Sequence, residues 1–210
     1  MASVLSVNVG TVRTTPWLDR TITSGIWKYP VSGRIAARDH QLAGDEQADT
    51  ISHGGPDKAV LAYDDEDYAW WSAELGRSLE PGIFGENLTT AGISLSDAII
   101  GERWRIGSAE IQISQARLPC RKLSMRLGDP NFKERFTVAA RPGAYFRITK
   151  EGGLSAGDAI EVVDRPSHSL TVQEMFRICT VQRDRAAELL DISDVPQRWR
   201  DWAQKQQLQP

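Results

Sequence analysis

Cysteine is nearly absent from the 210-residue chain: Cys120 and Cys179 are the only two. That excludes a disulfide scaffold, and no Cys-x-x-Cys pair offers a zinc or redox site. Long apolar runs are also missing. None approaches the ~20 residues of a membrane-spanning helix. The opening MASVLSVNVGTVRTT has no basic segment followed by a long apolar one, so a cytoplasmic protein is expected, with no membrane partner. Neither sign of charge dominates. With 25 Lys+Arg against 28 Asp+Glu and a net charge of −3, a strongly basic nucleic-acid binder is excluded as a description of the whole chain. There is no solenoid repeat, no low-complexity tract, no dinucleotide-binding glycine fingerprint and no ferredoxin-type cysteine set.

What is present divides at Pro166. Residues 1–165 carry short segments with Val, Ile and Trp at alternating positions, broken by Gly, Pro and Asp. The segments are Val4–Val12, Ala59–Tyr63, Glu102–Ile106, Ala109–Gln115, Ala144–Thr149 and Ala159–Val163. This is the pattern of a mainly β barrel or sandwich with a few helical insertions. Asp65 is placed to cap a helix that runs to Leu75 and is closed by Gly76, with Tyr68, Trp71 and Leu75 on its core face. Asn131 and Glu134 predict a second helix start, with Phe132 and Phe136 one turn apart. Residues 166–210 lack alternation and read as three short helices: one capped by Thr171 and Glu174, one through Ala186–Leu190, and one opening at Asp194-Val195-Pro196. This extension carries seven basic and seven acidic residues from Asp164 onward, so a nucleic-acid role has no electrostatic footprint there.

The chemistry concentrates between Glu110 and Asp129, a stretch of eighteen residues without an acid in which Arg117, Arg121, Lys122 and Arg126 surround Cys120. Cations favour the thiolate. Leu118-Pro119 ends a strand, and Arg121–Leu127, closed by Gly128, forms a short helix that puts Cys120 at a positive N-terminus. If the strand stays regular, the face of Ala109, Ile111 and Ile113 continues through Gln115 and Arg117, so an apolar interior opens into a cationic pocket. A thiolate there serves as a nucleophile, a redox thiol or a soft metal ligand, and the cations imply an anionic partner. Cys179, inside an apolar helix, reads as a buried, unreactive thiol. Three polar loops add candidates: His53-Gly54-Gly55-Pro56-Asp57-Lys58 for an anion, Glu86 and Asn87 in Gly82–Leu88 for a heterocycle edge, and Lys28 between Trp27 and Tyr29.

Together with Gln115-x-Arg117-x-Pro119-Cys120-x-Lys122-Leu123, Gly143-x-Tyr145-x-Arg147, Lys28-Tyr29-Pro30-Val31, Gly44-Asp45-x-Gln47-Ala48-Asp49, Phe84-Gly85-Glu86-Asn87-Leu88 and Gly157-Asp158, these loops resemble the MOSC-domain family, named for the C-terminal domain of molybdenum-cofactor sulfurase. Within that family they resemble the YiiM-like bacterial members, which carry a C-terminal three-helix extension. The resemblance implies a twisted MOSC β-barrel over residues 1–165, the extension over 166–210, and a molybdenum cofactor (molybdopterin with molybdenum) whose metal is bound by Cys120. It assigns cofactor contacts to Lys28, His53, Lys58, Glu86, Asn87, Arg117 and Arg147, and catalytic roles to Cys120, His53 and Tyr145. The chain departs from the family pattern at Ala144 and Arg121, which bear on the breadth of the substrate pocket.

The function implied is reduction of N-hydroxylated compounds, such as 6-hydroxyaminopurine-like bases and amidoximes. With no other redox site evident in the sequence, electrons are expected from a separate flavoprotein reductase. The resemblance leaves room for a homodimer. Two other readings stand beside this one: a sulfur carrier with a Cys120 persulfide serving metal-sulfur cofactor assembly, and a non-catalytic module that docks a partner through the helical extension.

Overall fold

The fold is described from a computed structural model, covering residues 1–49 and 54–208. Strand alternation translates directly into the main sheet. Its members are β1 (Ser3–Val9), β4 (Tyr29–Pro30), β7 (Val60–Asp64), β8 (Leu88–Ala91), β9 (Arg103–Ile106), β10 (Ala109–Ala116), β11 (Ala144–Lys150) and β13 (Ile160–Asp164). They pair in the order β13-β9-β10-β11-β7-β8-β1-β4. Every pairing is antiparallel except β7 with β8. The helix α1 (Asp65–Leu75) lies between those two strands in the sequence, as a parallel pair requires. Every residue of β7 is buried, which is why it reads as an apolar run rather than an alternation. Two small sheets flank the large one: the hairpin β2 (Arg13–Trp17) with β3 (Arg20–Ser24), and β5 (Ile35–Arg38) set between β6 (Gln41–Leu42) and β12 (Gly152–Leu154).

The architecture is mixed α/β, a large sheet with several helices, and the sheet has an open strand order where a twisted barrel was expected. The sheet curls until its ends touch: Ser3 bridges Ala159, and Val4 N–H donates to Asp158 O at 3.0 Å while Gly157 N–H donates to Val4 O at 2.8 Å. Beyond Ile160 the chain pairs with β9 alone, so no continuous ladder closes the circle among the described residues.

Helices α2 (Arg121–Leu127), α3 (Phe132–Ala139), α4 (Val172–Thr180) and α5 (Gln197–Gln207) pack around the sheet. The cap of α1 is Asp64 rather than Asp65: its carboxylate accepts from Asp67 N–H. Thr171 and Glu174 form the full capping box expected of α4. The middle of the three predicted C-terminal helices is a 3-10 stretch, Arg183–Leu189. The faces of α1, α3 and α4 meet in an aromatic cluster. Tyr63 stacks on Phe84 at 4.3 Å, Trp71 on Phe136 at 5.9 Å, and Phe136 meets Phe176 edge-on at 6.0 Å. Trp71 Nε1–H donates to Tyr63 Oη, which donates to Arg141 O, so the polar tips of the cluster are satisfied. No helix among the described residues is long and apolar enough to cross a membrane.

Candidate functional site

A cavity of about 320 Å³ opens where β10 runs into α2. Between Ile113 and Gln115 the pairing of β10 with β11 shifts register. The alternation expected to carry one face through to Arg117 therefore breaks, and Ser114, Gln115, Ala116 and Arg117 are all buried. Gln115 and Arg117 still reach the cavity. Pro119 closes the strand, and Cys120 becomes the N-terminal cap residue of α2, extended at φ −139° and half-buried in the cavity wall.

Arg117 is the central cation. Only 4% exposed, it donates from Nη2 to Phe84 O at 3.4 Å and lies 5.1 Å from the centroid of Phe136. Its Nη1 is buried without a hydrogen-bond partner, a cost of about 1–3 kcal/mol or more for a charged donor. The loop below it depends on glycine. Gly82 and Gly85 have φ of +86° and +77°, and a Cβ on Gly85 would lie 2.6 Å from Ile26 Cγ1, so only glycine lets the Phe84 carbonyl approach Arg117.

Lys28, Lys58, Asn87 and Tyr145 also line the cavity, so the structure brings together much of the predicted set. Two of them are already engaged. Lys28 Nζ pairs with both oxygens of buried Asp45; burial lowers its pKa and the Asp45 charge opposes the shift. Asn87 Nδ2 donates to Asp45 Oδ2 at 3.0 Å and to Asn8 O at 3.2 Å, while its Oδ1 accepts from Leu61 N–H. Asn87 is thus a clasp between strands rather than an amide offered to a ligand. Lys58 Nζ sits 5.6 Å from the centroid of Tyr145. Burial, and then the charge of Arg198, lower its pKa to about 8 against the pull of Asp49, Cys120 and Asp57. Burial raises the Tyr145 hydroxyl, with Arg117 opposing.

Two predicted contacts do not reach the cavity. The Glu86 carboxylate lies fully buried behind the wall, where it accepts from Tyr68 Oη, Gly82 N–H and Thr89 Oγ1; it holds the loop that carries Phe84 and Asn87. Arg147, on the same face of β11 as Tyr145, is held short of the cavity by pairing with Asp57 and donating to Gln112 Oε1 and Asp194 O. His53 lies outside the described residues.

Arg198 and Trp199, read from sequence only as part of the last helix, complete the cavity wall from α5. Trp199 Nε1–H donates to Gln115 Oε1 at 2.5 Å. Spacing within the chain does not signal a contact between residues so far apart. A second cavity, about 400 Å³, shares Cys120 with the first and lies between the β2–β3 turn and α2–α3, with Trp17, Arg121 and Lys133 in its wall. Among the described residues, no group of three or more His, Cys, Asp and Glu side chains is placed to hold a metal ion.

A curled sheet with a cysteine and a buried arginine at the end of one strand defines the class: the chain belongs to the MOSC-domain family, whose pattern it matches over residues 49–161. It is 34% identical to the protein YiiM of Escherichia coli over 191 residues, covering 88% of this chain and 85% of YiiM. It is 38% identical to the uncharacterized protein YflK of Bacillus subtilis, covering 84% of this chain and 80% of YflK. A protein of Gibberella moniliformis named a reductase is 33% identical over 80% of this chain, which spans 31% of that longer protein. The crystal structure of YiiM from Geobacillus stearothermophilus superimposes with a TM-score of 0.81 at 29% identity, covering 98% of this chain and 99% of the other.

Proposed function

We propose that the chain is a molybdenum-cofactor-dependent oxidoreductase that reduces N-hydroxylated compounds, including 6-hydroxyaminopurine-like bases and amidoximes, with electrons from a separate flavoprotein reductase. One observation carries this reading: Cys120 shares a cavity with Arg117, a buried arginine whose Nη1 has no hydrogen-bond partner. A lone protein thiolate makes one bond to a metal that arrives with other ligands, as a pterin dithiolene provides, and thiolate is a donor of matching softness. The Arg117 fork suits the phosphate of such a cofactor. The group therefore fits the residues present.

When bound, the cofactor supplies the two-electron chemistry that breaks an N–O bond. The chain's own residues bind and orient. Cys120 holds the metal, Arg117 the anionic tail, and the Lys28–Asp45–Asn87 network fixes the floor. Tyr145, whose hydroxyl stays protonated at neutral pH, holds a proton at Oη for the departing oxygen, and His53 is a second candidate for that role. The fold that accompanies this reading is the family's twisted barrel over 1–165 with an extension over 166–210, and the bonds joining Val4 to Asp158 support the first part.

The test is protein purified from a molybdenum-replete host. Stoichiometric molybdenum and pterin are expected. Reduced viologen should drive conversion of amidoximes to amidines, and NADH alone should not. Cyanide-labile sulfur without metal or pterin would overturn the proposal in favour of a persulfide carrier.

A further inference from the structure

The cation that α5 brings to the cavity differs from those beneath it. Lys28 is neutralised by Asp45, and Arg117 is buried deep in the wall, where it answers one anion. Arg198 is exposed at the rim, comes from a helix more than seventy residues downstream of Cys120, and forms no ion pair among the described residues. Its position is nevertheless fixed. The neighbouring Trp199 is buried and tied to Gln115 Oε1, and Gln115 Nε2 is tied to Asp57 O at 3.1 Å. The guanidinium carbon of Arg198 lies 4.8 Å from the centroid of the Trp199 indole, a stacking contact that restrains a side chain otherwise rich in rotamers. Lys58 and Lys122 line the same cavity. A restrained guanidinium beside two ammonium groups, above an anion site that has its own arginine, is the arrangement for a second and more highly charged anion.

We propose that Arg198 is the specificity-determining residue of the site and selects phosphorylated substrates, so that the preferred substrate class is an N-hydroxylated base carried as its nucleotide. A phosphate bears a charge near −1.5 to −2 at neutral pH and offers three acceptor oxygens. A free base offers none of this, and Arg198 would then lie idle. This inference rests on the oxidoreductase reading above, with the rim of the cavity receiving the substrate over the cofactor.

The test is calorimetric titration of the full-length, cofactor-loaded protein with two unreactive probes, adenosine 5′-monophosphate and adenosine. The parent should bind the monophosphate at least ~10-fold more tightly. Arg198→Ala should abolish that preference without changing adenosine binding, and Arg198→Lys should restore part of it, with melting temperature, molybdenum and pterin content unchanged in both variants. Equal binding of the two probes by the parent, or a preference that survives in Arg198→Ala, overturns the inference. Loss of molybdenum or pterin from Arg198→Ala also overturns it, since Arg198 would then serve the cofactor. The underlying function is read separately: a cofactor-loaded parent that reduces no N–O bond defeats the reductase reading, and the titration of that same protein still decides whether the rim selects phosphate.

Discussion

At the scale of single residues, the two cysteines separate by surroundings alone. Burial in α4 pushes the Cys179 thiol up to about 12, so it stays protonated and inert. Cys179→Ala should keep molybdenum and activity and cost about 1–2 kcal/mol in denaturant melts. Cys120→Ser should lose N–O reduction and most bound molybdenum in elemental analysis of folded protein, because a hydroxyl is a harder donor and is protonated at neutral pH. The buried Lys28–Asp45 pair supplies a stability contrast. Asp45→Asn strands a buried ammonium and leaves one acceptor oxygen where two serve Lys28 Nζ, Gly10 N–H and Asn87 Nδ2, so a loss of about 3–5 kcal/mol is expected. Asp45→Leu combined with Lys28→Met should lose less than Asp45→Asn alone, and a double variant as unstable as the single would show that the cost lies elsewhere.

Among the elements, α1 carries its own pH dependence. Asp67 in its first turn is buried, with Oδ2 unpartnered and Oδ1 paired to Arg141. Burial first, then the Asp64 charge, raise its pKa from 3.8 to about 6. A raised carboxyl contributes stability that is complete below about pH 4 and is lost as pH rises through about 6. Asp67→Asn mimics the protonated form, so the difference in unfolding free energy should move in the variant's favour by on the order of 2 kcal/mol between pH 4 and pH 7. An unchanged difference would place the titration elsewhere. Elements with local signatures were legible in the sequence. Gly76 and Gly128 end α1 and α2 where expected, and Thr171 with Glu174 starts α4. The two-residue strands β4 and β6, the short β12 and the polar β2–β3 hairpin carry too few alternating positions to announce themselves. Within the site, Cys120 and Arg117 stood out because an acid-free run is visible in one dimension. The redirection of Glu86 and Arg147 was not, since it depends on Tyr68 and Asp57 arriving from other elements, and the register shift at Ser114 depends on β11.

Across the whole molecule, the segment after Pro166 shares the core of the sheet. Val172, Met175 and Phe176 are buried in the same cluster as Trp71 and Phe136, and Gln173 Nε2 donates to Ala140 O. Truncation at Pro166 should therefore abolish the cooperative thermal transition rather than trim it, since uncovering one Phe alone costs about 3–5 kcal/mol. A truncated chain that melts cooperatively near the parent's temperature would show the extension to be dispensable. The meeting of Ser3 and Val4 with residues 157–159 has a consequence for biosynthesis. During synthesis β1 meets the two-residue β4 after about twenty residues, but its longer partner β8 only some eighty residues later and residues 157–159 only after about 150, so at 5–20 residues per second most of it waits roughly 4–16 s for β8. Throughout that interval the nascent chain presents an apolar, hydrogen-bond-hungry ribbon, so its yield in a cell should depend on holdase chaperones that cover β1 until β8 has been made.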